Sequence, residues 1–268
     1  MTPTSSKKIK NGSGTLVPAV EQACRILLAL AEQTSVKSNL TELCKTVGIH
    51  NSKGFNILHT LTQFGFVQRE EEGKRYSLGP GLLPLSRKVL DSLDYKETAQ
   101  PFLEVLARET GTPAFFGLRA GDNIYVVGKQ EGSGEIGITI RVGLHYPLTH
   151  GAHGKAIVAF LPEKEREKIL AKSKLYFHGD PSRLNRTRLE KELKRCRQEG
   201  YAEDLGELQP NINALAAPVF GSSDQLVGVL FMVGLFPKSS VKEFGRKVAD
   251  KARRMSTLLG AKLESTVL

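Results

Sequence analysis

The sequence has few of the features that mark secreted, membrane-spanning or metal-binding proteins. Its cysteines are Cys24, Cys44 and Cys196, an odd number at wide spacing. Such a set gives neither a disulfide framework nor a metal-knuckle pattern. It fits the reducing cytoplasm, where we expect the protein to work. No apolar run reaches the roughly 18 residues of a membrane helix, so the sequence predicts no membrane partner.

Motifs of nucleotide-binding and hydrolytic enzymes are also missing. The segment from Gly151 to Lys155 is not a phosphate-binding loop, because Thr149 and Ala156 stand where that loop needs glycine and a hydroxyl residue. No Gly-x-Ser-x-Gly elbow is present, and we expect no catalytic residues and no cofactor. A hydrolase-type enzyme that uses the C-terminal part is the alternative interpretation, although no nucleophile–base arrangement in the sequence supports it.

The charge balance indicates a polyanionic partner. The 268 residues carry a formal net charge of +10, and 40% of them are hydrophobic, which is enough for real cores. A basic balance favours binding to a polyanion but does not determine the fold. The length allows one large domain or two ordinary ones. Residues 1–15 are rich in Ser, Thr, Lys and Gly and lack the apolar stretch of a signal peptide, so we expect a flexible basic arm.

The segment Asn39 to Gly79 is the most informative part of the chain. It begins with a pattern for a short helix, because Leu40, Leu43 and Val47 recur at i, i+3 and i+7. Gly48 follows at once, as a helix C-cap residue should. The first residue, Asn39, precedes Glu42 by three positions and predicts a capping box at the start of this helix.

A second helix is predicted after the turn. Asn51 and Ser52 are suitable N-cap residues, and Phe55, Leu58 and Leu61 form the apolar side that follows them. Two strand-like runs then flank a turn that contains a glycine, which predicts a β-hairpin. An amphipathic helix precedes the whole segment. Three helices and a hairpin are the layout of a winged helix-turn-helix, which places its second short helix in the DNA major groove. The ranges of the first helix and of the two hairpin strands are Pro18 to Gln33, Phe66 to Arg69 and Arg75 to Leu78.

The remainder of the chain predicts a linker helix and then a second domain. A helix over Leu82 to Leu93 follows the break at residues 79–81, and from Pro113 the pattern changes to strands. Strand pairs at both ends with helices between them predict an α+β domain on an antiparallel sheet. The predicted strands are 114–118, 124–127, 136–142, 214–220 and 226–235, and the last helix is 240–263.

With both parts in place, the chain resembles IclR-type transcriptional regulators along nearly its whole length. The segments that carry this resemblance are 40–43 with 47–48, 75–80, 151–156, 200–204 and 215–220. The resemblance implies a DNA-binding regulator with a GAF-like effector-binding domain that works as a homodimer or tetramer. The domains expected are a flexible arm (1–15), a winged helix-turn-helix (16–79), a linker helix (80–96) and an effector-binding domain (97–268).

Candidate DNA contacts lie on the second short helix and on the wing. The polar side of that helix faces away from its apolar residues, as a major-groove reading face should. The resemblance also shows departures, since Gly54 and Asn56 replace a small polar residue and an arginine of the family. The acidic wing tip repels phosphate, which leaves two basic residues of the wing as backbone contacts. The candidate residues are Asn51, Ser52, Lys53, Asn56, His59, Lys74 and Arg75.

Candidate effector contacts lie in the second domain. Gly151 and Ala152 begin a predicted helix, whose N–H groups and dipole favour a carboxylate. Asp204 matches the family's effector-contacting acid. The family's remaining polar positions are apolar here, as Ala214, Phe231 and Val233. A mainly apolar pocket favours an aromatic or otherwise weakly polar carboxylic acid.

Three histidines close in sequence are candidates for a metal site. His150 and His153 stand at i and i+3, and His145 precedes them. No cysteine or acid lies at ligand spacing nearby. We therefore expect pocket histidines and no metal.

Overall fold

A computed structural model describes residues 16–32, 38–70, 74–91, 94–134 and 138–262. The expected arm over residues 1–15 and the acidic wing-tip residues Glu71 and Glu72 lie outside this part. The chain divides into two compact units, Met1–Leu93 and Asp94–Leu268. Within the described ranges no helix combines the length and apolarity needed to cross a membrane.

The first unit is a winged helix-turn-helix, as the sequence predicts. Its small antiparallel sheet has the strand order β1-β3-β2. A 3-10 turn follows the wing at Pro80–Leu82 and precedes the last helix of the unit. The elements are α1 (Pro18–Glu32), β1 (Ser38–Asn39), α2 (Leu40–Val47), α3 (Asn51–Gln63), β2 (Val67–Arg69), β3 (Arg75–Leu78) and α4 (Leu83–Asp91).

Local signals determine where α2 begins and ends. The Asn39 side chain accepts a hydrogen bond from the Glu42 N–H, and the Glu42 carboxylate accepts one from the Asn39 N–H, so the predicted capping box is confirmed. Gly48 ends the helix at φ 75°, a left-handed conformation that glycine adopts without steric cost. The N-cap of α3 is His50, which makes no side-chain cap bond, so the prediction of Asn51 and Ser52 as caps is wrong.

The buried side of α3 differs from the predicted one. Gly54, Leu58 and Leu61 are buried at i, i+4 and i+7, whereas Phe55 is 45% exposed. The prediction that Phe55 belongs to the buried side is wrong for a physical reason. A Cβ atom at Gly54 would overlap the Cys44 sulfur, so α2 and α3 approach at the glycine and the neighbouring ring turns outward.

The second unit is built on a six-stranded antiparallel sheet of order β6-β5-β4-β9-β8-β7, which confirms the α+β class. Helices α5 and α9 contact strands of this sheet. Buried residues of α6 and α8 form one hydrophobic cluster with residues of the same sheet. Its strands are β4 (Ala114–Ala120), β5 (Asn123–Gln130), β6 (His145–Pro147), β7 (Ala202–Leu205), β8 (Asn213–Phe220) and β9 (Leu226–Gly234). Its helices are α5 (Asp94–Thr110), α6 (Gly151–Ala159), α7 (Glu163–Leu170), α8 (Arg186–Glu199) and α9 (Val241–Leu258).

The predicted strand over residues 136–142 is absent from its described part, residues 138–142. The backbone pairs with β5 just after this stretch, where the Gly143 N–H donates to the Val126 carbonyl and the Val126 N–H donates to the Leu144 carbonyl, both at 2.8 Å. Gly143 takes a left-handed φ of 91°, which turns the chain at this point. The edge strand β6, which was not predicted from the sequence, then starts at His145.

The close approach of α2 and α3 generates a stability prediction. Gly54→Ala should lower the free energy of unfolding by about 1–3 kcal/mol, because the new methyl group overpacks the contact with Cys44. Cys44→Ala removes the sulfur and should recover most of that loss in the double variant. Thermal unfolding of the single and double variants measures the coupling. Additive effects of the two substitutions would contradict this account.

Candidate DNA-binding face and effector site

One exposed stripe runs along α3. Ser52, Phe55, Asn56 and His59 follow one another at i, i+3, i+4 and i+7, and all four are exposed. The Phe55 and His59 rings stack with their centroids 6.4 Å apart and an interplanar angle of 13°. This stripe lies opposite the buried residues of α3. It offers a hydroxyl, an amide, an imidazole and a phenyl ring to a partner.

The other predicted contacts of the DNA-binding unit lie around this stripe and on the wing. Asn51 and Lys53 are exposed in the first turn of α3. Lys74, at φ 50°, and Arg75 are exposed at the beginning of β3 and not on α3. The exposed Thr60 and Gln63 extend the stripe toward the C-terminal end of α3. Sequence reasoning missed them, although counting on by i+4 from Asn56 and His59 would have found both.

The second unit brings the predicted effector residues together on the sheet face toward α6. Asp204, Ala214 and Val233 are direct cross-strand neighbours on β7, β8 and β9. Phe231 lies two residues before Val233 on the same face. Gly151 begins α6 beside this row, since an added Cβ there would lie 3.3 Å from Asp204 Oδ2.

The N-terminus of α6 differs from the expected open anion site. The Gly151 N–H donates to the Tyr176 carbonyl at 3.3 Å, so the expectation that it is free is wrong. The chain between α7 and α8 supplies that acceptor at this helix end. In the described part of the chain, the N–H groups of Ala152 and His153 have no acceptor. Two of the helix donors therefore remain for a ligand.

Asp204 is the most unusual polar group of this unit. Its side chain is only 2% exposed. Oδ1 accepts a hydrogen bond from the Glu207 N–H at 2.8 Å, whereas Oδ2 is buried without a partner among the described residues. Burial raises the pKa of the Asp204 carboxyl, and the Lys155 ammonium opposes that shift. An orphaned buried acceptor costs about 1–3 kcal/mol, so this atom is suited to a ligand that donates a hydrogen bond.

Aromatic rings surround the row of predicted effector residues. The centroid of the His153 ring lies 4.9 Å from that of Tyr146 and 5.3 Å from that of Phe231. His150 Nδ1 lies 3.2 Å from His153 Nε2. Burial lowers the pKa of His150 to about 4 and holds the pKa of His153 below its usual value. Both imidazoles are therefore neutral at neutral pH. Sequence reasoning missed Tyr146 because the short strand β6 was not predicted.

A buried ionic cluster fixes α6 in place. Lys155 is 1% exposed, and its Nζ lies 2.9 Å from Glu192 and 3.2 Å from Glu207. Nζ also donates to the Glu203 carbonyl at 3.2 Å. In the described ranges, the three residues with metal-ligand geometry are His178 and these two glutamates. The Lys155 ammonium and the Arg188 guanidinium together pair with both carboxylates, so the cluster has no need of a metal ion.

An open groove of about 510 Å³ lies elsewhere on the second unit. It includes Leu205 and Asn213, which alternate along their strands with Asp204 and Ala214 and so face the opposite side of the sheet. This groove is therefore separate from the row of predicted effector residues. Its lining is Leu205, Gly206, Asn211, Asn213, Leu235, Phe236, Pro237 and Lys238.

Comparison with known families accounts for both units. The family described as "Bacterial transcriptional regulator IclR C-terminal" matches residues 87–257, and the "IclR helix-turn-helix domain" matches residues 19–71. The chain belongs to the IclR family of transcriptional regulators. The relatives of this IclR-family protein are regulators and not enzymes, which disfavours the hydrolase alternative.

Similar proteins span nearly the whole chain. The regulator KipR of Bacillus subtilis is 28% identical over 82% of this chain and 89% of its own length. The glycerol operon regulatory protein of Streptomyces griseus is 30% identical over 91% and 97%. The crystal structure of a regulator from Alicyclobacillus acidocaldarius superposes with a TM-score of 0.79 at 28% identity, covering 92% of this chain and all of that one.

The buried histidines generate a pH prediction. The folded pKa of His150, about 4, lies below its ordinary value of 6.5, so between these pH values the unfolded chain binds a proton that the folded chain does not. The free energy of unfolding should therefore fall as pH decreases below 6.5, by about 2 kcal/mol at pH 5 for this group. Denaturant unfolding of the wild type and His150→Gln at pH 7 and pH 5 isolates the effect. Equal pH dependence in both would contradict the prediction.

Proposed function

We propose that this IclR-family regulator reads operator DNA with the exposed stripe of α3 and the basic residues of its wing. The stripe carries the proposal, because it is polar and exposed on the helix that this fold inserts into the major groove. Lys53, Lys74 and Arg75 are positioned to contact phosphates, which fix the register. Asn56 and His59 can hydrogen-bond base edges. This activity belongs to the cytoplasm, where operator DNA is located.

Binding to DNA selected from a random duplex pool tests these roles. Lys53→Ala should weaken binding to every sequence and reduce the salt slope by about one phosphate contact. Asn56→Ala and His59→Ala should relax base preference, at a cost of about 1–3 kcal/mol for a lost base contact. Lys242→Ala removes the same charge from an exposed position on α9 and is the matched control. Unchanged affinity and preference in all three variants would reject the assignment of α3.

The proposal includes self-association, for which exposed apolar residues provide the support. Val20 and Leu28 on one side of α1 are 59% and 51% exposed, and Val17 just before this helix is 62% exposed. Leu83 and Leu85 of α4 are 67% and 53% exposed. Several large apolar side chains exposed to this extent indicate a covering surface. A second copy reading a second half-site supplies one. Light scattering on the same protein–DNA samples counts the chains per operator, and one chain per operator would contradict this part.

We further propose that the effector is an aromatic carboxylic acid that carries a hydroxyl group. Phe231, Val233 and Ala214 offer an apolar surface for the ring. The free N–H groups of Ala152 and His153 suit the carboxylate. Asp204 Oδ2 lacks a donor, and a ligand hydroxyl would supply one. A small keto acid lacks both the ring and this donor.

Calorimetric titration with benzoate, 3- and 4-hydroxybenzoate, pyruvate and glyoxylate tests the effector proposal. The wild type should bind at least one hydroxybenzoate more tightly than benzoate. Asp204→Asn keeps Oδ1 and replaces the free acceptor with a donor, so this preference should fall by about tenfold. Val233→Thr places a hydroxyl of equal volume against the ring and should weaken all aromatic acids.

The outcomes separate the parts of this proposal. Val142→Thr makes the same exchange at an exposed valine away from the row and should change nothing. Tighter binding of pyruvate or glyoxylate than of any aromatic acid would reject the aromatic class. Tighter binding of every acid by Asp204→Asn would mean that the ligand carboxylate itself lies against Asp204, which would reject the role given to the hydroxyl.

A further inference from the structure

The polar residues of the α3 stripe account for only part of its surface. Phe55 lies between Ser52 and Asn56 in that stripe and is 45% exposed. Its ring lies outside the buried side of α3, because the adjacent Gly54 takes the buried position against α2. A large exposed phenyl ring on a helix face that enters the major groove requires an apolar group on the DNA.

The major groove offers one such group. Thymine carries a C5-methyl group there, the largest apolar group on the groove edge, where the other bases mainly present hydrogen-bond donors and acceptors. We propose that Phe55 is a specificity-determining residue that packs against the C5-methyl group of one thymine in each half-site. This inference rests on the proposed function, because it requires that α3 reads the operator.

His59 orients the Phe55 ring. The two rings are nearly parallel, with an interplanar angle of 13° and a centroid distance of 6.4 Å one helical turn apart. Stacking limits the rotation of the phenyl ring and leaves its opposite face and edge free. His59 therefore has two functions on this surface, as a base-contacting group and as a positioning residue for Phe55.

Removing only the methyl group from DNA tests the contact. An operator is first selected from a random duplex pool with the wild-type full chain. Each thymine is then replaced singly by deoxyuridine, which keeps all hydrogen-bonding groups, and binding is measured by fluorescence anisotropy. The wild type should lose about fourfold in affinity at one thymine per half-site, which corresponds to one methyl group removed from apolar contact.

The variants assign this loss to the phenyl ring. Phe55→Ala should bind the thymine and deoxyuridine operators equally. Phe64→Ala is the matched control, since Phe64 is 68% exposed but ends α3 outside the stripe, and it should retain the fourfold difference. His59→Ala should reduce the difference without abolishing it, because it releases the ring but leaves it in place.

Several results would overturn the inference. If the wild type binds every deoxyuridine operator as tightly as the thymine operator, the methyl contact does not exist. If Phe55→Ala retains the full fourfold difference between the two operators, another residue makes the contact. Dissociation of the oligomer in Phe55→Ala, seen by light scattering, would place the ring between protein chains. Each of these results leaves α3 as the reading helix. Failure of the wild type to select any sequence would instead reject the proposed function itself.

Discussion

The arrangement of the proposed effector site depends on one buried ammonium group. Lys155 places its Nζ between carboxylates of Glu192 on α8 and Glu207 after β7. Burying a charge is expensive unless opposite charges and hydrogen bonds compensate for it. Any displacement of α6 from α8 and β7 would leave that charge, or its partners, unpaired in the interior. The cluster therefore holds the three elements in one relative position.

The same constraint leaves one carboxylate oxygen of the neighbouring Asp204 buried without a hydrogen bond among the described residues. Glu207, which pairs with Lys155, also gives its N–H to Asp204 Oδ1. The turn after β7 is thus held from both ends, and Asp204 cannot rotate to pair its second oxygen without losing that bond. An ordered but unsatisfied acceptor is pre-organised for a ligand, because no conformational entropy has to be lost again on binding. A ligand that satisfies Oδ2 would also stabilise the folded unit.

Features encoded by neighbouring residues could be predicted from the sequence. The capping box of Asn39 and Glu42 spans three residues, and its geometry follows from the helix alone. The ion pairs of Lys155 could not be predicted from the sequence. Glu207 follows it by 52 residues, and lysine side chains are almost never fully buried in proteins. The close placement of Asp204, Ala214 and Val233 was anticipated from family resemblance, whereas their direct cross-strand register required the strand pairing.

The error at Phe55 has a different origin. Helix periodicity gives two interpretations of α3, one with Phe55, Leu58 and Leu61 buried and one with Gly54, Leu58 and Leu61 buried. Hydrophobicity favours the first, since glycine adds no apolar surface. Packing selects the second, because a buried glycine brings two helices closer than any larger residue allows. Cys44 fills the space where a side chain would otherwise lie. A residue without a side chain therefore determines which face of α3 its neighbour presents to solvent.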